Sequence, residues 1–183
     1  MRRLERAGRT VAALTTAAGV LIIGACAQQV SGTAEVNRTD LAAYTSEVTA
    51  SAIAASAARA AAIERATGAA CDAFYAANGN SVRVFNDYIA VSNVKGVNDP
   101  EANSKADAAV TTLHDGASAV DQQVTQEVPS NIADVLHTYR DDSRNLADTL
   151  ARRADTDTLN ATIDRFNATK DTALAACAGH GTR

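Results

Sequence analysis

Beyond residue 100 the chain repeats apolar residues in steps of three and four. Ala106, Val110, Leu113, Ala117, Val120 and Val124 do so over residues 101–127. Ile132, Leu136, Tyr139, Ser143, Leu146 and Leu150 continue the rhythm over 130–153, and Leu159, Ile163, Phe166, Ala173, Leu174 and Cys177 carry it towards the end. A period near 3.6 places each set on one helix face, and such faces are stable only when packed on one another. Apart from a few residues around Val82 to Phe85, nothing alternates with the period of a strand.

The punctuation between these stripes predicts where helices begin and end. Asp99-Pro100-Glu101 reads as an N-cap, a proline at the first helical position and an acid in the first turn. Pro129-Ser130 and Asp155-Thr156-Asp157 mark two further starts. Asn78-Gly79-Asn80 and Lys95-Gly96-Val97-Asn98 read as stops. Five helices are therefore expected, over residues 40–77, 81–94, 100–127, 130–153 and 156–178. The fold class is all-α, an up-and-down helical bundle of four to five helices, with residues 41–183 as its single domain.

The first of these helices differs from the others. From Thr49 to Ala73 it is mostly alanine and serine, and Ile53 and Ile63 are its only larger aliphatic residues. Alanine favours helix but buries little surface. Such a helix either packs closely on its own bundle, which is the expectation, or offers a smooth face to another helix or a lipid chain. Low aromatic content and the absence of Trp indicate a thin core.

The chain begins with a different kind of pattern. Arg2, Arg3, Arg6 and Arg9 against Glu5 form a positive leader; residues 11–25 are apolar or small, and the run closes on Cys26. Charged, apolar, small is the layout of a secretory signal. The run is too short, and too diluted by Thr15, Thr16, Gly19 and Gly24, for the roughly 20 strongly apolar residues of a membrane span. Ile23-Gly24-Ala25-Cys26 resembles the lipobox of bacterial lipoprotein precursors. The resemblance implies that the Cys26 thiol takes a diacylglyceryl group, that residues 1–25 are cleaved as a signal peptide, and that the new amine receives a fatty acyl chain such as palmitate. Gln28-Gln29-Val30-Ser31-Gly32-Thr33-Ala34 is similar to the tethers of actinobacterial lipoproteins.

Residues 26–40 are then the lipidated cysteine and its tether. More than one acyl chain gives stable anchoring where a single chain does not, so a membrane-anchored envelope protein on the extracytoplasmic face of the cell membrane is implied. The chain has 17 basic and 21 acidic side chains, a net charge of −4, and loss of four Arg and one Glu with the leader takes it to −7. An acidic ectodomain is repelled by anionic lipid and nucleic acid. A flexible tether from Ala27 to Asp40, 14 residues, reaches roughly 20 Å, beyond a Debye length of about 8 Å.

With Cys26 lipidated, Cys71 and Cys177 remain as an even pair in an oxidising compartment, and a disulfide between them is expected. It closes a loop of about 105 residues, worth about 4 to 5 kcal/mol in the chain-entropy model. If Cys71 lies near the end of the first helix, the two cysteines meet only when the last helix runs parallel to the first. Residues 81–94 must then be a full traversal, with Val82, Phe85 and Ile89 facing the core.

Candidate chemistry is sparse. His114, His137 and His180 lie on separate segments without paired zinc-ligand spacing. His137 and Asp141 stand one turn apart and could share a proton or a metal, but Asp141 and Asp142 with Arg140 and Arg144 read as a solvated charged face. No nucleophile elbow, phosphate loop or Cys-His pairing is present. The expectation is a non-enzymatic binding or structural module with no cofactor, no metal, no catalytic residue and no nucleic-acid partner, acting with a protein partner in the cell envelope. The alternative is a carrier of an apolar ligand between helices, which a pocket lined by Ile, Val and Phe would favour.

Overall fold

The computed structural model describes residues 36–181. They form four helices in up-and-down order: α1 (Arg38–Lys95), α2 (Pro100–Gln123), α3 (Ser130–Ala151) and α4 (Thr156–Ala176). Each packs on its sequence neighbour, while α4 meets α1 only sparsely. The bundle is closed along three of its seams and open along the fourth.

The starts lie where the caps place them. Asn37 accepts from the Thr39 amide, Asp99 from the Glu101 amide at 2.8 Å with Pro100 at the first helical position, and Asp155 from the Thr158 amide at 2.9 Å. α1 ends at Gly96, whose φ of 91° only glycine adopts freely. Two residues beyond the end of α3, Arg153 holds a positive φ of 51° while its guanidinium reaches Asn103 and Asp107 of α2 and the Leu150 carbonyl.

α1 is one continuous helix of 58 residues, about 87 Å long, and this corrects two expectations. Asn78-Gly79-Asn80 is not a stop, and residues 81–94 are not a separate traversal. A glycine inside a helix costs only about 1 kcal/mol. Opposing it, Phe74, Ala77, Ser81, Tyr88 and Ser92 keep one buried face across the interruption. At its middle Gly116 of α2 lets the helices approach so closely that a β-carbon there would lie 3.1 Å from that of Ala77. Packing on both sides of Gly79 outweighs the local signal.

Nor does α1 belong to the bundle along its whole length. Every residue from 36 to 61 is exposed, including Leu41, Tyr44, Val48 and Ile53. Close packing of the alanine-rich segment on its own bundle begins only at Thr67 and Ala70. The helix also takes in Arg38, Thr39 and Asp40, the last three residues of the expected tether. Roughly 24 residues therefore form a stalk about 36 Å long.

The core is built as the stripes of α2 and α3 predict. Leu113, Val120, Ile132, Leu136, Tyr139 and Leu146 are buried with Phe74 and Phe166. Tyr139 meets Phe74 edge-on at 4.8 Å between ring centroids and Phe166 at 5.6 Å. In α4 the inward positions are Thr162, Phe166 and Ala173, whereas Leu174 faces solvent.

Candidate functional site

The open seam between α1 and α4 forms a groove of about 330 Å³. Val82, Phe85 and Ile89 of α1 line one wall, Ile163 and Phe166 of α4 the other, and Leu113 and Leu146 lie at its floor. The three α1 residues are half-buried and pack against the core, so they face inward as expected although their helix is not a separate one. Its polar lining comes from Ser81, Asn86, Asn160, Asn167 and Lys170. Lys170 Nζ donates to Asn167 Oδ1 at 3.2 Å and lies 3.5 Å from Asp171. These polar residues escape the sequence reading. The signal that marks them is the spacing of Asn160, Ile163 and Asn167 on one face of α4, where a helix wholly committed to its core would place only apolar side chains.

One end of the groove is bolted. Cys71 and Cys177 form the expected disulfide, with Cα atoms 5.5 Å apart, but the topology that joins them is not the expected one. α4 is the fourth helix and runs antiparallel to α1. The cysteines meet because Cys71 lies where α1 enters the bundle, level with the end of α4, rather than at the end of α1. The argument for an odd number of traversals therefore fails with the break at Gly79. Beside the bridge, the Tyr75 hydroxyl donates to the Cys177 carbonyl at 2.8 Å.

The charged candidates lie elsewhere. Arg140 binds Asp121 of α2 and, through Nε at 2.8 Å, Asp141; its guanidinium holds both carboxyls below the usual carboxylate range. His137 faces Arg140 at 2.8 Å and Asp121 at 3.8 Å instead of sharing Asp141. Asp142 accepts from Thr169 of α4 at 2.6 Å. His114 pairs with Asp148 at 3.2 Å and His180 with Glu64 at 3.7 Å, so the three histidines stand apart. Among the described residues no group of three His, Cys, Asp or Glu side chains could hold a metal ion. Cys26 lies outside the described residues.

A short helical bundle closed on three seams, stapled at one end and grooved along the fourth, defines the class. The model of the Rv2240c four-helix bundle domain family matches residues 53–178, well over half of the chain, and the chain belongs to that family. The family's mycobacterial name is in keeping with the actinobacterial likeness of residues 28–34. No curated protein and no solved structure matches the chain.

Proposed function

We propose that the chain is a lipid-anchored module of the cell envelope that binds rather than catalyses, held at the extracytoplasmic face of the cell membrane through Cys26, and that the α1–α4 groove is its binding element. The groove carries this reading. At about 330 Å³ it falls at the lower end of the range for small-molecule sites, and it has their composition of apolar walls with a few placed polar groups. Amides and one lysine can orient a ligand but offer no paired acid and base. The chemistry suits an extended apolar chain with a polar head, the chain between Phe85 and Phe166 and the head towards Asn167 and Lys170. Such a ligand favours the carrier alternative within the same envelope role.

Two measurements test the two halves. Labelling with radioactive palmitate should mark the expressed chain and should be lost in Cys26→Ser; a membrane-bound, labelled Cys26→Ser product would overturn the anchor. The full chain in mild detergent should bind a fluorescent polyene fatty acid saturably, and Ile163→Trp, which fills the groove, should weaken binding at least tenfold with helicity unchanged. Unaltered binding in that variant would remove the groove from the function.

A further inference from the structure

The exposed half of α1 is not a featureless spacer, because the line of residues that the bundle buries continues along it and carries Leu41, Val48 and Ile63 among small and polar side chains. Leu41, Thr45, Val48, Ala52, Ser56, Arg59 and Ile63 lead at steps of three and four into Thr67, Ala70 and Phe74, which are buried. Near the bundle, Arg59, Ala62 and Ile63 border a surface pocket with Gln126 and Glu127 of the α2–α3 turn, which confirms that this line of residues points to the side where α2, α3 and α4 stand. Above that turn the same side of α1 is open, and Leu41, Val48 and Ile53 are about half or more exposed, at 52, 46 and 63 %.

We infer that this stalk pairs antiparallel with the stalk of a second copy of the chain. Three observations select that occupant and that direction. The first is steric. A straight helix laid parallel on the stripe, continuing as α1 does, would run into the bundle that stands on the same side. The helix of an antiparallel copy ends at its own Arg38 before reaching that bundle, and its bundle lies beyond the other stalk's tip. Abutting Arg38 of one copy against the level of Ile63 of the other fixes the register, with residue numbers across the pair summing to about 101.

The second observation is side-chain size. In that register Thr45 faces Ser56, Val48 faces Ala52, and Leu41 lies beside Ala60 and the stem of Arg59. The larger residues of each N-terminal half thus meet the small ones of the other copy, allowing the helices to approach evenly along the whole stalk. The third is charge. Asp40 comes within two residues of the level of Arg59, and Arg38 within one of that of Glu64, each pair on the same flank of the interface and within reach of the arginine side chain, and the two-fold axis repeats both pairs at the other end. Glu64 is exposed and keeps its contact with His180 on the far side of its helix face. The resulting dimer is a rod with one bundle at each end, on opposite faces.

Disulfide trapping in the full chain tests the direction. Two differently tagged copies are co-expressed, one carrying Thr45→Cys and the other Ser56→Cys, and oxidised in the membrane. The antiparallel pair brings these positions together, while Thr45 lies about 16 Å from its own counterpart, beyond the reach of a disulfide. Heterotypic dimers should exceed Thr45→Cys homodimers at least fivefold. A dominant Thr45→Cys homodimer, or no trapped dimer in any combination, would overturn the inference. Val48→Glu in both copies should cut trapping at least tenfold while Cys71 and Cys177 remain bridged by non-reducing mass spectrometry. Undiminished trapping in that variant would equally overturn it.

Discussion

Tyr75 donates its hydroxyl to the backbone carbonyl of Cys177 across 102 residues of sequence, at 2.8 Å, one turn along α1 from Cys71, which is bonded to that same cysteine. Two links from adjacent turns thus hold the end of α4 against α1, where the seam between these helices is otherwise open. Replacing both cysteines by alanine should lower stability by about 4 to 5 kcal/mol on the chain-entropy estimate for a loop of this length. Tyr75→Phe should cost about 1 kcal/mol. Urea unfolding of the variants against the oxidised parent measures both, and a loss below about 1 kcal/mol for the double variant would show that the bridge adds nothing to the packing beside it.

Two helical glycines, Gly79 of α1 and Gly116 of α2, should respond in opposite ways to a larger side chain. Gly79 is exposed inside α1 and an added β-carbon meets nothing within 4 Å, so Gly79→Ala should stabilise by up to about 1 kcal/mol. Gly116 faces Ala77 at the 3.1 Å that a new β-carbon would have, and Gly116→Val should destabilise by about 1 to 3 kcal/mol through overpacking. Thermal melts decide both. Destabilisation by Gly79→Ala would indicate that α1 bends there in solution.

The same glycine shows where the sequence is legible and where it is not. The faces of α2 and α3 are readable because each inward position, from Leu113 to Val120 and from Ile132 to Leu150, repeats one short-range rule, and the caps at Asp99 and Asp155 reinforce it locally. The continuity of α1 is unreadable locally because Asn78-Gly79-Asn80 is a genuine stop signal, defeated by contacts with Gly116, 37 residues away in sequence. From that one misplaced boundary follows the wrong route to a correct disulfide. In the groove, Val82, Phe85 and Ile89 are legible in the sequence as an inward set, whereas Asn86, Asn160 and Lys170 join it only through the gap between α1 and α4, and no periodicity encodes a gap.

Arg153 is the only non-glycine residue with a positive φ among the described residues, at 51°, a conformation that costs about 1 to 2 kcal/mol for an L side chain. Its guanidinium offsets that cost by binding Asn103 at 2.9 Å, Asp107 at 2.7 Å and the Leu150 carbonyl at 2.8 Å. Arg153→Ala removes the contacts and keeps the strain, and should destabilise by about 1 to 2 kcal/mol. Arg153→Gly removes both, and should be less harmful by up to about 1 kcal/mol. If chemical denaturation ranks alanine above glycine, the strain is not the deciding quantity.

Tyr139 makes the stability of the bundle depend on alkaline pH. Burial pushes its phenol up to about 12 from an ordinary 10, and hydrogen bonds with Ser143 and Ser81 only partly oppose the shift. The folded chain therefore keeps a proton that the unfolded chain gives up first. Stability from this group is fully present below pH 10 and falls as pH rises from about 10 to about 12, by roughly 2 to 3 kcal/mol in all. Tyr139→Phe cannot ionise, so its urea midpoint should decline less than that of the parent across this window, while at pH 7 it should lose about 1 kcal/mol with the serine contacts. Lysine and arginine deprotonation acts on both proteins alike and cancels in the comparison. Parallel decline of the two midpoints between pH 9 and 12 would mean that the Tyr139 phenol reaches water in the folded state and that the Phe74–Tyr139–Phe166 stack opens.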